Sequence, residues 1–318
     1  MAFRLCAGAS PVFLALGRRA FSRCHLVVVA GLVAACSGGD APAAAVGGTA
    51  VVDDAGRQVS LTPAPRRIIS LAPSATELLI ALGASAHLVA RTDFDNDASL
   101  ARLPTLGRTL SPSLETVVAL RPDLVITASD ALTDDFTERL IGARVRVYQT
   151  DTQRLSELFA SISTLSVLVG EAARGEELLR ATERALGTIR EAAVSGLQPR
   201  VLYLLWHSPA FIAGRDTYID DLIRIAGGRN VFADVAGWAQ VSLEEIIARD
   251  PELIVVPRGE GHSLQPEWLV ETAGWRGVRA VREDRLLLVD SDLFNRPGPR
   301  VVEAAQVLAS ALRKVRAP

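Results

Sequence analysis

Thiols are missing from almost all of this chain. Cys6, Cys24 and Cys36 are its three cysteines, and none follows residue 36. A fold built beyond that point has no disulfide and must rest on its apolar core. Lysine is scarcer still. Lys314 is the only one, and arginine with abundant alanine takes its place, which fits GC-rich coding better than a phosphate-binding surface. The formal net charge of −2 gives no basis for nucleic acid or a polyanionic partner. Histidine is sparse too. Beyond residue 36 only His87, His207 and His262 occur, scattered and unpaired. Zinc or manganese sites need several converging His and carboxylate ligands, so no metal site is assigned. Catalytic signatures are also absent: there is no Gly-x-Ser-x-Gly elbow, no phosphate loop, no cysteine nucleophile and no histidine with an orienting partner. A non-enzymatic protein without a cofactor is expected.

The first fifty residues read as export and tether. Arg18, Arg19 and Arg23 precede an apolar run, Leu26 to Ala35, too short to span a bilayer and suited to a signal h-region. The run ends Val33-Ala34-Ala35-Cys36, similar to a bacterial lipoprotein processing site, with Cys36 as the lipidated residue. Residues 1–36 are therefore expected to be a lipoprotein signal and residues 37–50 a flexible tether, placing the protein in the cell envelope, anchored to a membrane through Cys36. A plain secretory signal or a membrane anchor is the alternative. Met1–Ala20 is long for a signal n-region, which puts the expected translation start further downstream.

A fifteen-residue phrase occurs twice. Ser113-Leu-Glu-Thr-Val-Val-Ala-Leu-Arg-Pro-Asp-Leu-Val-Ile-Thr127 returns as Ser242-Leu-Glu-Glu-Ile-Ile-Ala-Arg-Asp-Pro-Glu-Leu-Ile-Val-Val256, identical at six positions. Each copy reads as a Ser-capped helix, stopped before Pro122 or Pro251, that runs into an apolar strand. Further strands are expected at Arg67–Leu71, Leu88–Ala90, Val145–Tyr148, Arg200–Leu205, Phe211–Ala213 and Leu286–Val289, with a lead-in hairpin over Val51–Leu61. Ser74 and Glu77 stand in capping-box spacing ahead of an apolar helix that stops at Gly83. From Leu155 to Val194 proline is absent and apolar residues recur at helical spacing; the later part reads as one helix of about 25 residues, roughly 38 Å long. The expected fold is α/β: two similar lobes, each a mostly parallel sheet flanked by helices, at residues 51–165 and 197–318. One long linking helix over 166–196 joins them, with a ligand cleft between.

Several phrases resemble the helical-backbone (class III) periplasmic binding proteins of ABC importers. Arg66-Arg-Ile-Ile-Ser-Leu-Ala-Pro-Ser-Ala-Thr-Glu-Leu-Leu-Ile-Ala-Leu-Gly83, Leu114–Val125 and Ile225-Ala-Gly-Gly-Arg-Asn-Val-Phe232 carry the likeness, which runs from about Val51 to Leu312. The family implies a monomeric receptor that takes cobalamin, a ferric siderophore or haem and hands this large metal chelate to an ABC permease dimer in the inner membrane. Pro209-Ala-Phe211, Trp238–Glu244 and Ser291–Arg300 are most similar to the cobalamin-binding branch. There an aromatic at Phe211 and a tryptophan at Trp238 line the second lobe, and Asp292 and Arg296 touch the corrin edge. The resemblance thus implies a ligand-contact set of Pro73, Ser74, Arg91, Phe94, Thr109, Trp206, Phe211, Trp238, Asp292 and Arg296. The first lobe departs from that branch: Thr109, beside Arg108, replaces a tryptophan, and Arg91 replaces a tyrosine, while Phe94 keeps one aromatic. Two arginines there suit a ligand carrying carboxylates.

Other residues leave two readings open. Glu115 and Glu244 follow the capping serines, where the helix dipole favours an acid anyway; the family implies that they dock onto permease arginines. Trp206, Phe211 and Trp238 are either core or cleft aromatics. Trp238, in Gly237-Trp-Ala-Gln, reads as a loop residue facing the ligand. Trp268 and Trp275 read as core, Phe294 is undecided and His87 reads as surface. His207 is either a ligand to haem iron or corrinoid cobalt, or a hydrogen-bonding loop residue. A tetrapyrrole metal chelatase, which also closes two α/β lobes on a macrocycle, is the enzymatic alternative that the export signal opposes.

Overall fold

A side-chain carboxylate folds the first turn. Asp53 Oδ1 accepts from the N–H groups of Ala55 (3.1 Å) and Arg57 (2.7 Å), closing the hairpin of β1 (Thr49–Val52) and β2 (Gln58–Leu61). The computed structural model describes residues 49–108, 112–128, 134–193, 198–259, 266–272 and 274–316. The expected signal, the tether up to residue 48, Cys36, Thr109 and His262 lie outside the described residues.

The first lobe alternates strand and helix. In order come β3 (Ile68–Ser70), α1 (Pro73–Ala81), β4 (Leu88–Ala90), α2 (Leu114–Ala119), β5 (Leu124–Ala128), α3 (Asp134–Gly142), β6 (Arg146–Thr150) and α4 (Leu155–Leu168). The sheet order is β4-β3-β5-β6 and every pairing is parallel. The Ser74–Glu77 capping box does not form. Pro73 occupies the first helical turn, Ala72 is the N-cap, and no side chain caps it. Proline at the first helical position lacks only an N–H that would be unpaired there anyway, and its fixed φ starts the helix one residue ahead of Ser74. Glu77 is turned to another use.

A single helix, α5 (Ala172–Ala193), then leads to the second lobe. It begins at Ala172 rather than at residue 166. The helix before it continues to Leu168 and is broken by Gly170, whose φ of +80° costs a glycine nothing. At 22 residues α5 is about 33 Å long. It buries Gly175, Thr182 and Leu186, with Leu178, Leu179 and Ile189 beside them, against α4 and two helices of the second lobe.

The second lobe comprises β7 (Arg200–His207), β8 (Ala210–Ala213), α6 (Tyr218–Ile225), β9 (Arg229–Asn230), β10 (Trp238–Val241), α7 (Leu243–Arg249), β11 (Leu253–Arg258), α8 (Pro266–Glu271), α9 (Arg279–Arg282), β12 (Leu286–Asp290), α10 (Ser291–Asn295) and α11 (Val301–Arg316). Its sheet runs β10-β8-β7-β11-β12, with β9 on the start of β7. Strands β7, β11 and β12 are parallel, whereas β8 and β10 are antiparallel additions. Trp238 is therefore in an edge strand, not a loop: Trp238–Val241 pairs with Ala210–Ala213.

The repeated phrase folds twice in the same way. Ser113 Oγ accepts from the N–H of Thr116 (3.3 Å) and Ser242 Oγ from that of Glu245 (3.2 Å). Val117 and Ile246, at equivalent positions, are the buried residues of α2 and α7. Arg121 and Asp250, each just before the proline, both take a φ of 47°. That left-handed residue turns the chain out of the helix and into β5 or β11.

Candidate functional site

In open α/β sheets, ligands bind outside the carboxyl ends of the strands, where the order of connections reverses. The first lobe reverses between β3 and β5. Leu71, Ala72, Pro73 and Ser74 come directly after β3, Ala128 ends β5, and Thr150–Gln153 lie at the end of β6. From the second lobe Trp238, Asn295 and Arg296 meet them across a cavity of about 370 Å3. A second cavity of about 210 Å3 is lined by Phe94, Asn96, Gly259, Asp292 and Arg296, where Gly259 comes after β11 and Asp292 after β12. A third, of about 680 Å3, lies beside α1 and includes Glu77, Asp95, Asp97, Asp292, Arg296 and Arg300. Arg296 borders all three.

Aromatic residues build the second lobe's wall. Phe211 and Trp238 are stacked (6.3 Å between centroids, 11° between planes), and Trp238 meets Tyr203 edge-on at 6.0 Å. Tyr203 in turn stacks on Phe294 at 6.4 Å. Tyr203 and Phe294 are buried, Trp238 only partly. The Tyr203 hydroxyl donates to Asn295 Oδ1 at 2.6 Å, and burial pushes its pKa well above the usual phenol value, so it remains a donor. Tyr218 is likewise buried and raised, lines the 370 Å3 cavity, and has no hydroxyl partner among the described residues. This graded row, from buried to half-buried, gives a flat apolar face with a few polar atoms beside it.

The polar side of the site is a bridge between the lobes. Arg300 donates to both carboxylate oxygens of Glu77, at 2.9 and 2.8 Å. Arg296 lies 3.7 Å from Glu77 and pairs with Asp292 at 2.7 Å. Asn96 donates across to Asp292 at 3.2 Å. The hydrogen bond to Glu77 raises the pKa of Arg300, and burial opposes it. Asp290 Oδ1 accepts from the Leu293 N–H and so caps α10, the helix that carries Asp292.

The sequence-derived residues divide. Pro73, Ser74, Trp238 and Arg296 share one cavity, and Phe94, Asp292 and Arg296 another. Phe211 reaches them through its stack on Trp238. Arg91 lines none of the three. Its Nη1 donates to the Thr92 carbonyl at 3.1 Å and lies 3.9 Å from Asp93. Arg108 sits over the Phe94 ring at 5.5 Å. Trp206 also lines none of them: it stands in a separate group, stacked on His207, whose ring packs against Trp268 at 3.7 Å. Burial lowers the pKa of His207. Trp275 is buried in the core and Trp268 is packed beside it, as expected. Glu77, Tyr203, Tyr218, Asn295 and Arg300 were not foreseen; the one signal for the bridge was that Glu77 lies inside, and Arg300 ends, phrases that carry the family likeness.

Glu115 and Glu244 are exposed at the second position of α2 and α7. The Ser113 hydroxyl donates to Glu115 at 2.6 Å and lowers its pKa, so it stays ionised. Among the described residues no group of three or more His, Cys, Asp and Glu could hold a metal ion, and no helix is long and apolar enough to cross a membrane.

A two-lobed α/β frame on one linking helix, with its cleft at the strands' carboxyl ends, is the architecture of a binding protein. The chain belongs to the periplasmic binding protein family, whose model matches residues 68–293. It is 28% identical over 269 residues to an uncharacterized ABC transporter substrate-binding lipoprotein of Bacillus subtilis, covering 82% of this chain and 84% of that one. It is also 28% identical over 255 residues to the vitamin B12-binding protein of Vibrio parahaemolyticus, covering 78% and 91%. The periplasmic heme-binding protein from Roseiflexus sp. RS-1, in its apo form, superposes with a TM-score of 0.72 at 26% identity, covering 79% and 99%. The protein is a substrate-binding component of an ABC transporter, acting in the cell envelope, and not an enzyme.

Proposed function

We propose that this receptor captures cobalamin or a related corrinoid and delivers it to an ABC permease dimer, with no resident cofactor of its own. The observation that carries this reading is the cleft that Trp238, stacked on Phe211, lines together with Pro73, Ser74 and Arg296. A corrinoid is a broad disc with an apolar rim and many amide arms. It needs flat aromatic surface and a few polar anchors, which these residues supply. The likeness to a vitamin B12-binding protein supports the same ligand. A ferric siderophore or haem is the second reading, supported by the likeness to a heme-binding protein. Glu115 and Glu244, exposed at equivalent places, are the docking points for the permease. Cys36 is the lipid anchor and the receptor works as a monomer; the likeness to a lipoprotein supports the anchor.

Isothermal titration of the soluble domain, starting near Asp40, against cyanocobalamin, haemin and a panel of ferric siderophores tests the assignment. Cyanocobalamin should bind most tightly. Preference for haemin or a siderophore would transfer the assignment to that ligand, and absence of binding to all of them would sink it.

A further inference from the structure

The guanidinium groups at the cleft, and those of Arg91 and Arg108, are already engaged inside the protein. Glu77, on α1 of the first lobe, holds Arg300 of the second through both carboxylate oxygens, at 2.9 and 2.8 Å. The same carboxylate lies 3.7 Å from Arg296, and Arg296 is held on its other side by Asp292 at 2.7 Å. Arg91 is beside Asp93, and Arg108 covers the Phe94 ring. The side chains of Glu77 and Arg296 are only 20% and 16% exposed, so their pairing is little screened by water. Since Arg296 borders all three cavities, any ligand that fills the cleft meets this arrangement.

We infer that Glu77 is a specificity-determining residue: it serves as the internal counter-ion of Arg296 and Arg300 and turns the cleft against ligands that carry carboxylates. An anionic chelate has to displace a bidentate, charge-assisted pair before it can use Arg300, and Asp292 before it can use Arg296, and the nearby Glu77 then repels it. A neutral macrocycle with amide arms meets only dipoles and leaves the pair in place. Glu77 thus discriminates by opposing the wrong charge, whereas Trp238 and Phe211 favour any flat macrocycle. This inference rests on the reading of the cleft as a site for a large macrocyclic chelate.

Haemin and haemin dimethyl ester isolate the effect, because they share one macrocycle and differ in whether its carboxylates are free or esterified. Binding of both, and of cyanocobalamin, is measured on the wild-type soluble domain and on Glu77→Gln. The variant should bind haemin about tenfold more tightly relative to the ester than the wild type does. Asp292→Asn removes the other counter-ion of Arg296 without altering α1, and should move the ratio in the same direction; it decides the matter if Glu77→Gln does not fold. Haemin and its ester shifting together, a ratio unmoved in the folded variants, or variants that bind neither probe would overturn the inference. A wild type that ignores cyanocobalamin while the haemin-to-ester ratio still moves would sink the corrinoid assignment alone.

Discussion

Trp238 sits where a single side chain can serve both fold and ligand. Its strand is at the sheet edge, its ring is half-buried between Phe211 and Tyr203, and its remaining face belongs to the cleft. Trp238→Ala should weaken ligand binding by about 1–3 kcal/mol, the scale of burying one large apolar side chain, and Trp268→Ala should leave it near wild type. Titration of both variants alongside thermal melts separates the two roles. If Trp238→Ala unfolds the protein and spares the residual affinity, the residue is only core. Tyr218 gives the complementary case. Its hydroxyl is buried and finds no partner among the described residues, so removing it costs no hydrogen bond. Tyr218→Phe should melt no lower than wild type; a clear drop in Tm would reveal a partner that the hydroxyl does hold.

At the level of elements, close packing fixes the linking helix. A Cβ on Gly175 would lie 2.1 Å from Ser166 Oγ and 2.3 Å from Ser166 Cβ, so α5 approaches α4 to a distance only glycine allows. Gly175→Val should destabilise the protein by about 1–3 kcal/mol in denaturant unfolding, by overpacking this contact. An unchanged midpoint would mean that the two helices slide apart freely. The paired elements α2 and α7 carry the other prediction. Reversing charge at both Glu115 and Glu244 to lysine should impair uptake in cells more than either single change, with ligand affinity in solution intact. Unimpaired uptake by the double variant would return both residues to the role of first-turn acids.

These elements also mark how far the sequence could be read. The repeat was legible because a capping serine, a buried aliphatic and a proline stop are local signals, and α2–β5 and α7–β11 obey them. The start of α5 was not, because Gly170 lies in a stretch whose apolar spacing looks helical throughout. Trp238–Val241 escaped as well: four residues at a sheet edge are defined by their partner Ala210–Ala213, not by their own pattern. The bridge was the least legible of all. Glu77 and Arg300 are 223 residues apart, and capping-box spacing gave Glu77 a plausible local role that Pro73 pre-empts.

On the scale of the whole molecule, contacts tie the lobes at more than the helix. The N–H of Leu155 donates to Asp221 at 3.0 Å, and Arg154 pairs with Asp216 at 2.9 Å. With α5 hydrogen-bonded at every turn and Glu77 clasping Arg300, wide hinge motion is disfavoured. Solution scattering should therefore show only a small tilt of the lobes when ligand binds; a large compaction would contradict the helical linker. The most direct test of the account is a crystal structure of the soluble domain grown with cyanocobalamin. The corrin ring should lie between the lobes, one face on Trp238 and the other toward Pro73 and Ser74, with its edge at Arg296. A corrinoid bound elsewhere, or a cleft that stays empty at saturating ligand, would contradict it.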